Sequence, residues 1–269
     1  MVAIGLAVVG FVSADDNVRE VQQKLRDGGF YTGEIDGAYS QQLSVALTRY
    51  QIRNGLPITG QLDAESSKAL GAKPAVATMA DDHAKSSETW RTLRIGGQHT
   101  AGTPGSDTKI PPRSAPAATT PLSSESTQAA SAPPATVSDT SSSGGGISTE
   151  RLRDYVGAFV LAGLDPQVGS ETDFFADRVQ YYDEGMKDRE KIRKDLQGYA
   201  ARWPERQFWL DGDITVEPQN WNRVLVTFPL RYDLRNGAKH SSGKVNKTLV
   251  LEPAGDDLQI VAVNERKAD

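Results

Sequence analysis

Apolar residues recur on two different periods along the chain. In the first seventy or so residues they fall three and four apart. Val18, Val21 and Leu25 make one face of a helix that Gly28-Gly29 ends, with Asn17 and Glu20 spaced as a capping box at its start. Leu43, Ala46, Leu47 and Tyr50 predict a second helix. Asp63 as N-cap, Glu65 in the first turn and Ala69-Leu70 at the apolar end predict a short third.

The helical period returns after residue 147. Ser148 caps a stripe of Leu152, Tyr155, Val156, Phe159 and Val160 that runs to Gly163. Ser170 starts a short helix with Asp173 in its first turn, through Phe174 and Phe175. Val179 to Gly185 alternates enough for a strand, with a continuing helix as the open alternative. Ile192, Leu196, Tyr199, Ala200 and Trp203 then make an amphipathic helix that Pro204 stops.

From there the period is two. Gln207–Leu210 and Ile214–Glu217 flank Asp211-Gly212, a hairpin signal. Val224, Val226, Phe228, Leu230 and Tyr232 share one face of a long strand that turns at Asn236-Gly237. Val245, Lys247, Leu249 and Leu251 follow, then a turn at Ala254-Gly255-Asp256, then Leu258, Ile260 and Ala262. Helices followed by strands in this order predict an α+β domain, its helices packed on the concave face of a curved antiparallel sheet.

A short phrase repeats inside the first helical region: Thr32-Gly33-Glu34-Ile35-Asp36 and Thr59-Gly60-Gln61-Leu62-Asp63. It reads as a turn leading into a helix. Gly33 and Gly60 supply backbone freedom, Ile35 and Leu62 plug the core, and the two aspartates accept hydrogen bonds from otherwise unpaired amides.

Between the two regions, residues 73–147 hold 8 of the chain's 14 prolines, many Ser and Thr, and a single aromatic residue, Trp90. Such a stretch buries too little apolar surface to offset chain entropy, so a disordered tether with a reach of roughly 50 Å is expected. The piece Ser86 to Ile95 stands out, because Trp90, Leu93 and Arg94 can form a short helix on contact. At the other end, residues 1–14 read as an export signal: an apolar run, then Val12-Ser13-Ala14 ahead of Asp15-Asp16. No Lys or Arg precedes that run, so the true start is expected upstream.

Composition narrows the chemistry. The net charge of -5 is spread along the chain and no segment is a polycation, so a phosphate-tracking surface is not expected and nucleic acid is not a predicted partner. The chain has no Cys, and His83, His99 and His240 stand far apart, so neither a thiolate nucleophile nor a structural metal site is predicted. No phosphate loop, Ser/His/Asp set or paired-His motif occurs, and no cofactor is expected.

Residues 18–70, with Leu-Gln-like spacing at the start, Gly-Phe-Tyr-x-Gly-x-Ile-Asp-Gly-x-Tyr, an aromatic-Gln pair at Tyr50-Gln51 and Gly-Leu-x-x-x-Gly-x-Leu-Asp, resemble the peptidoglycan-binding domain of bacterial cell-wall hydrolases. Two positions depart, Ser40 and Leu43. The resemblance implies a three-helix bundle over residues 15–72 that holds glycan or stem peptide. Tyr31, Tyr39, Arg49 and Arg53 are the residues assigned to contact it, since sugar faces and carboxylates suit aromatic rings and cations.

Residues 148–269, through Phe174–Gly185 and Tyr199–Arg206 ahead of the long strands, resemble the nuclear transport factor two-like superfamily. That resemblance implies a cone with a pocket, and it leaves open a homodimer formed through this domain. Tyr182, Asp183, Tyr199, Trp203 and Tyr232 are the pocket candidates.

Together these readings describe an exported, periplasmic or wall-associated, non-catalytic protein. Its first module binds peptidoglycan, and its tethered cone binds an envelope partner or small ligand. The alternative is a wall-anchored enzyme, an isomerase, dehydratase or hydrolase with its site in the cone, using Asp183 with Tyr181 or Tyr182, or Asp195 with Tyr199.

Overall fold

The structure is a computed structural model that describes residues 16–73, 82–96 and 147–268. The export signal and most of the tether lie outside the described residues.

The first module is built from α1 (Asp16–Asp27), α2 (Gln41–Arg53) and α3 (Ala64–Leu70). Val18, Val21, Leu25, Leu43, Ala46, Leu47 and Leu62 close its core, whereas Ile35 is only half-buried. The two departures from the family pattern have physical reasons. Ser40 is the N-cap of α2 and accepts from the Leu43 amide at 3.2 Å, and Leu43 is fully buried. Asn17, expected as a cap, instead lies inside α1 and clamps Lys73, donating to its carbonyl at 2.7 Å and accepting from its amide at 3.1 Å.

Two buried glutamines explain the repeated phrase. Gln22 accepts from Gly37 N at 2.9 Å and donates to Asp36 Oδ1 at 2.8 Å. Gln51 accepts from Thr59 N and Gly60 N at 3.0 and 2.9 Å and donates to Gln61 O and Ser66 Oγ, each at 2.9 Å. Each loop is thus pinned to the helix before it by one amide side chain. The glycines differ in purpose. Gly60 has φ +67°, but Gly33 is there for close approach, since a Cβ would meet Tyr31 Oη at 2.5 Å.

A fourth helix, α4 (Asp82–Arg94), occupies part of the expected tether. It buries Trp90 and Leu93 against α5 (Thr149–Ala162), and Trp90 Nε1 donates to the buried Asp165 at 2.8 Å. A segment that exposed such a ring would forgo one of the largest apolar burials in the chain. Docking therefore wins over disorder for residues 82–96.

The C-terminal region continues with a 3₁₀ turn at Ser170–Phe174, then β1 (Phe175–Tyr181), a 3₁₀ turn at Tyr182–Glu184, β2 (Met186–Asp188) and α6 (Arg189–Arg202). β3 (Glu205–Leu210), β4 (Thr215–Gln219), β5 (Arg223–Asn236), β6 (Lys239–Ala254) and β7 (Asp257–Lys267) complete it. The described strands form one sheet in the order β2-β1-β7-β6-β5-β3, with β4 also on β5.

Three details differ from the expected antiparallel sheet. β1 runs parallel to β7, so the sheet is mixed. Asp211-Gly212 is not a hairpin, because β3 and β4 pair with successive stretches of the same strand, β5, rather than with each other. An irregularity near Val250/Leu251 shifts the β7 register, so that Val263 rather than Ala262 follows Leu258 and Ile260 into the core.

The first module sits directly on the cone. Val45, Ile52 and Ile58 belong to the same buried cluster as Tyr155, Phe174 and Phe228, and the Ile58 amide donates to Phe208 O of β3 at 2.9 Å. Described residues of module, α4 and cone form one compact unit. Residues 97–146 of the expected tether lie outside the described residues.

Candidate functional site

The α5 and α6 helices and the curled strands β5, β6 and β7 enclose a cavity of about 420 Å³. α5 contributes Phe159 and Val160, α6 contributes Asp195, Leu196 and Tyr199, and the strands contribute Leu230, Tyr232, Lys247 and Glu265. Its walls are mainly apolar with a few convergent polar groups, the ordinary make-up of a small-molecule site.

Of the pocket candidates, Tyr182, Tyr199 and Tyr232 line this cavity. Asp183 does not: it is exposed in the turn after β1. Trp203 is half-buried at the end of α6 and outside the lining. Tyr182 holds φ +48°, a region costly for a non-glycine residue and commonest where a side chain must be aimed. Its ring stands edge-on to Tyr181 at 4.6 Å. Burial raises the Tyr181 phenol above its ordinary pKa and pushes Tyr199 up to about 12, so both stay protonated at neutral pH.

Four polar residues of the cavity were not among the candidates: Glu171, Ser241, Lys247 and Glu265. Lys247 Nζ reaches Glu265 at 3.0 Å and donates to Tyr182 Oη at 3.1 Å. Burial works to lower the lysine's pKa, but Tyr182 and Glu265 outweigh it and raise it, so the ammonium stays charged. Glu171 stands in the 3₁₀ turn before β1. Burial raises its carboxyl pKa, partly offset by its own backbone amide and by the charges of Arg206 and Lys247. A signal for Lys247 was present: it shares the inward register with Val245, Leu249 and Leu251, and a charge in such a row must find a partner inside. Glu171 carried no such signal.

The residues assigned to the wall separate into two groups. Tyr31 is buried, and its hydroxyl donates to Glu34 O at 2.8 Å. Arg49 pairs with Asp154 of α5 at 2.7 Å, with both side chains mostly buried. These two hold the fold and the contact between modules. Tyr39 is half-buried and donates to Gly60 O at 3.1 Å, and Arg53 pairs at the surface with Glu150, so part of each stays open to solvent.

Comparison with known proteins agrees with the N-terminal geometry. Residues 14–70 match the family model of the peptidoglycan binding domain. Among curated proteins, a spore cortex-lytic enzyme of Bacillus cereus is 34% identical over 58 residues, which is 22% of this chain and 22% of that enzyme. The chain thus spans about a fifth of the length of the curated relatives it matches.

Solved structures similar to the chain include a nuclear transport factor 2-like superfamily protein from Salmonella enterica, at 13% identity and TM-score 0.34, covering 40% of this chain and 82% of that one. Another is an NTF2-like protein with a cystatin-like fold from Novosphingobium aromaticivorans, at 12% identity and TM-score 0.37, covering 44% and 80%. The chain therefore carries a peptidoglycan binding domain at its N-terminus, followed by an α+β domain with a mixed, curved sheet.

Proposed function

We propose that this chain is a non-catalytic protein of the cell wall, exported to where peptidoglycan lies, which holds the wall through its first module and receives a small ligand in the cone. The observation that carries this reading is the shared core. Val45, Ile52 and Ile58 of the wall-binding module pack into the cluster that supports the cavity, so attachment to the wall fixes the cavity there as well. Joining two binders in one body raises the local concentration of what the second one binds.

The two acids that could serve as bases do not support catalysis. Asp183 lies exposed in the turn after β1, outside the cavity lining, and Asp195 is engaged by Lys187 at 2.6 Å. Tyr39 and Arg53 are proposed as wall contacts, because each keeps exposed surface on the module.

The test is retention of the full chain by purified insoluble peptidoglycan, with Tyr39→Ala/Arg53→Ala beside it. Retention by the unmodified chain and weaker retention of the double variant are expected. A chain that stays in the supernatant overturns the wall-binding reading. Turnover of wall fragments or small carbonyl compounds, abolished by Glu171→Gln, would overturn the non-catalytic one.

A further inference from the structure

The chemistry of the cone's ligand can be narrowed, an inference that rests on the ligand-binding reading above. Carboxylates outnumber cations in the cavity lining: Glu171, Asp195 and Glu265 against Lys247. Two of the three are answered. Lys187 pairs with Asp195 and Lys247 with Glu265, and both acids sit at the rim with side chains 47% and 42% exposed.

Glu171 is not answered. Among the described residues no ion pair and no side-chain hydrogen bond reaches its carboxyl. The charged groups around it are Arg206, Lys247 and Asp165. Arg206 turns its terminal nitrogens to backbone oxygens instead, Trp203 O at 3.1 Å and Gly163 O at 2.9 Å. Lys247 is committed to Glu265 and Tyr182. Burial raises the Glu171 pKa, and its own backbone amide and the charges of Arg206 and Lys247 offset that only in part.

The walls add a second preference. Phe159, Phe175, Tyr181, Tyr199, Phe208 and Tyr232 surround the same space. Cations already lie over rings of this cavity: Lys187 Nζ is 4.9 Å from the Tyr181 centroid, and Lys247 Nζ is 5.5 Å from that of Tyr182. Ring faces attract ammonium groups through their quadrupole.

Three kinds of occupant can be compared. An anion would be drawn to Lys247 but would approach three acids. A neutral apolar molecule would cover the Glu171 carboxyl without supplying a charge to pair with it, which costs free energy. A cation would pair with Glu171 while its apolar part covers the rings.

We propose that the cavity binds a small organic cation, an amine whose ammonium group donates to the Glu171 carboxylate and whose hydrocarbon or aromatic body lies against Phe159, Phe175 and Phe208. Asp195 and Glu265 at the rim favour the entry of a positive charge.

The experiment is titration of the full chain, by calorimetry or ligand-observed magnetic resonance, with 2-phenylethylamine, 2-phenylethanol and phenylacetate. These probes share a ring and differ in charge. The amine is expected to bind roughly tenfold or more tightly than the alcohol, and the acid weakest. Glu171→Gln, with an unchanged circular dichroism spectrum, should bring the amine to the level of the alcohol, and Glu171→Asp should recover part of the difference.

Equal binding of amine and alcohol overturns the cation while leaving a ligand-binding cone intact. Tightest binding of phenylacetate overturns it in favour of Lys247 as the anchor. Binding of none of the three overturns it and removes support for the cavity as a ligand site, whereas retention on peptidoglycan judges the wall module separately. If Glu171→Gln does not fold, the ranking of the three probes on the unmodified chain decides.

Discussion

The Arg49 guanidinium meets the Asp154 carboxylate at 2.7 Å, joining the N-terminal module to α5 across 105 residues of sequence. Neither side chain is more than a fifth exposed. Desolvation raises the Asp154 pKa, and the Arg49 charge and hydrogen bond oppose that rise. Removing one partner should therefore cost more than removing both. Arg49→Ala is expected to destabilise the chain by about 3 kcal/mol, since it strands a shielded carboxylate, while Arg49→Met/Asp154→Leu should return most of that loss. Urea unfolding of the three proteins measures it, and equal midpoints for single and double variants would show that the pair does not hold the contact.

Packing beside that ion pair is equally specific. Gly157 of α5 leaves room for Ile52 of α2, and a Cβ built there would lie 2.1 Å from Ile52 Cδ1. Gly157→Ala is expected to cost about 1–3 kcal/mol through overpacking. Ile52→Val removes the clashing methyl and alone should cost about 1 kcal/mol. The double variant should be more stable than the sum of the singles, because each change accommodates the other. Additive losses in a thermal-melt cycle would mean that the helices move apart instead.

The reason this contact was not legible in the sequence is the same reason the module was. Periodicity reports which face of a helix is apolar, and it found Leu43, Ala46 and Leu47. It does not report that Val45 and Ile52, off that stripe, face a second partner. An arginine on a helix surface looks alike whether it awaits a ligand or an aspartate 105 residues away. The cone behaved similarly. Alternation in β5 and β6 gave the inward rows, including Lys247, while β1 pairing parallel to β7 depends on a long-range register that no local pattern encodes. Glu171 reads as a first-turn acid of a short helix, and only the closure of α5 and the turn around it makes it a shielded group.

Trp90 carries the clearest departure from the composition-based expectation. Its ring is 1% exposed, lies 5.5 Å from that of Phe174, and donates its indole N–H to Asp165. Trp90→Ala should cost about 3–5 kcal/mol, as for other large-to-small changes at buried aromatic positions. It should also open the α4 segment to trypsin after Arg91 and Arg94. Trp90→Phe keeps the apolar contact but withdraws a donor from a buried aspartate, and should cost about 1–3 kcal/mol. If proteolysis of the Ala variant leaves residues 82–96 as resistant as in the unmodified chain, the helix is held by something other than this ring.

Glu171 connects the proposed cation site to stability through pH. Its carboxyl pKa in the folded chain lies above the ordinary 4.5, chiefly because burial disfavours the charge. Between 4.5 and that higher value the folded chain holds more protons than the unfolded chain. Stability from this group therefore falls as pH rises through the window, and above it the whole cost of the buried charge is present. Asp154 is raised in the same direction and Asp36, Asp188, Asp213 and Asp233 are lowered, so the slope of the unmodified protein mixes them all. The difference between the unmodified chain and Glu171→Gln isolates the one carboxyl. The variant is expected to melt higher at about pH 8, with the gap closing toward about pH 4, where the glutamate is protonated in both states. Adding 2-phenylethylamine near neutral pH should narrow the same gap by stabilising the unmodified chain more than the variant, since a ligand that binds only the folded state raises its melting temperature in proportion to how tightly it binds. A gap that stays constant across pH would mean that the Glu171 carboxyl is solvated rather than shielded.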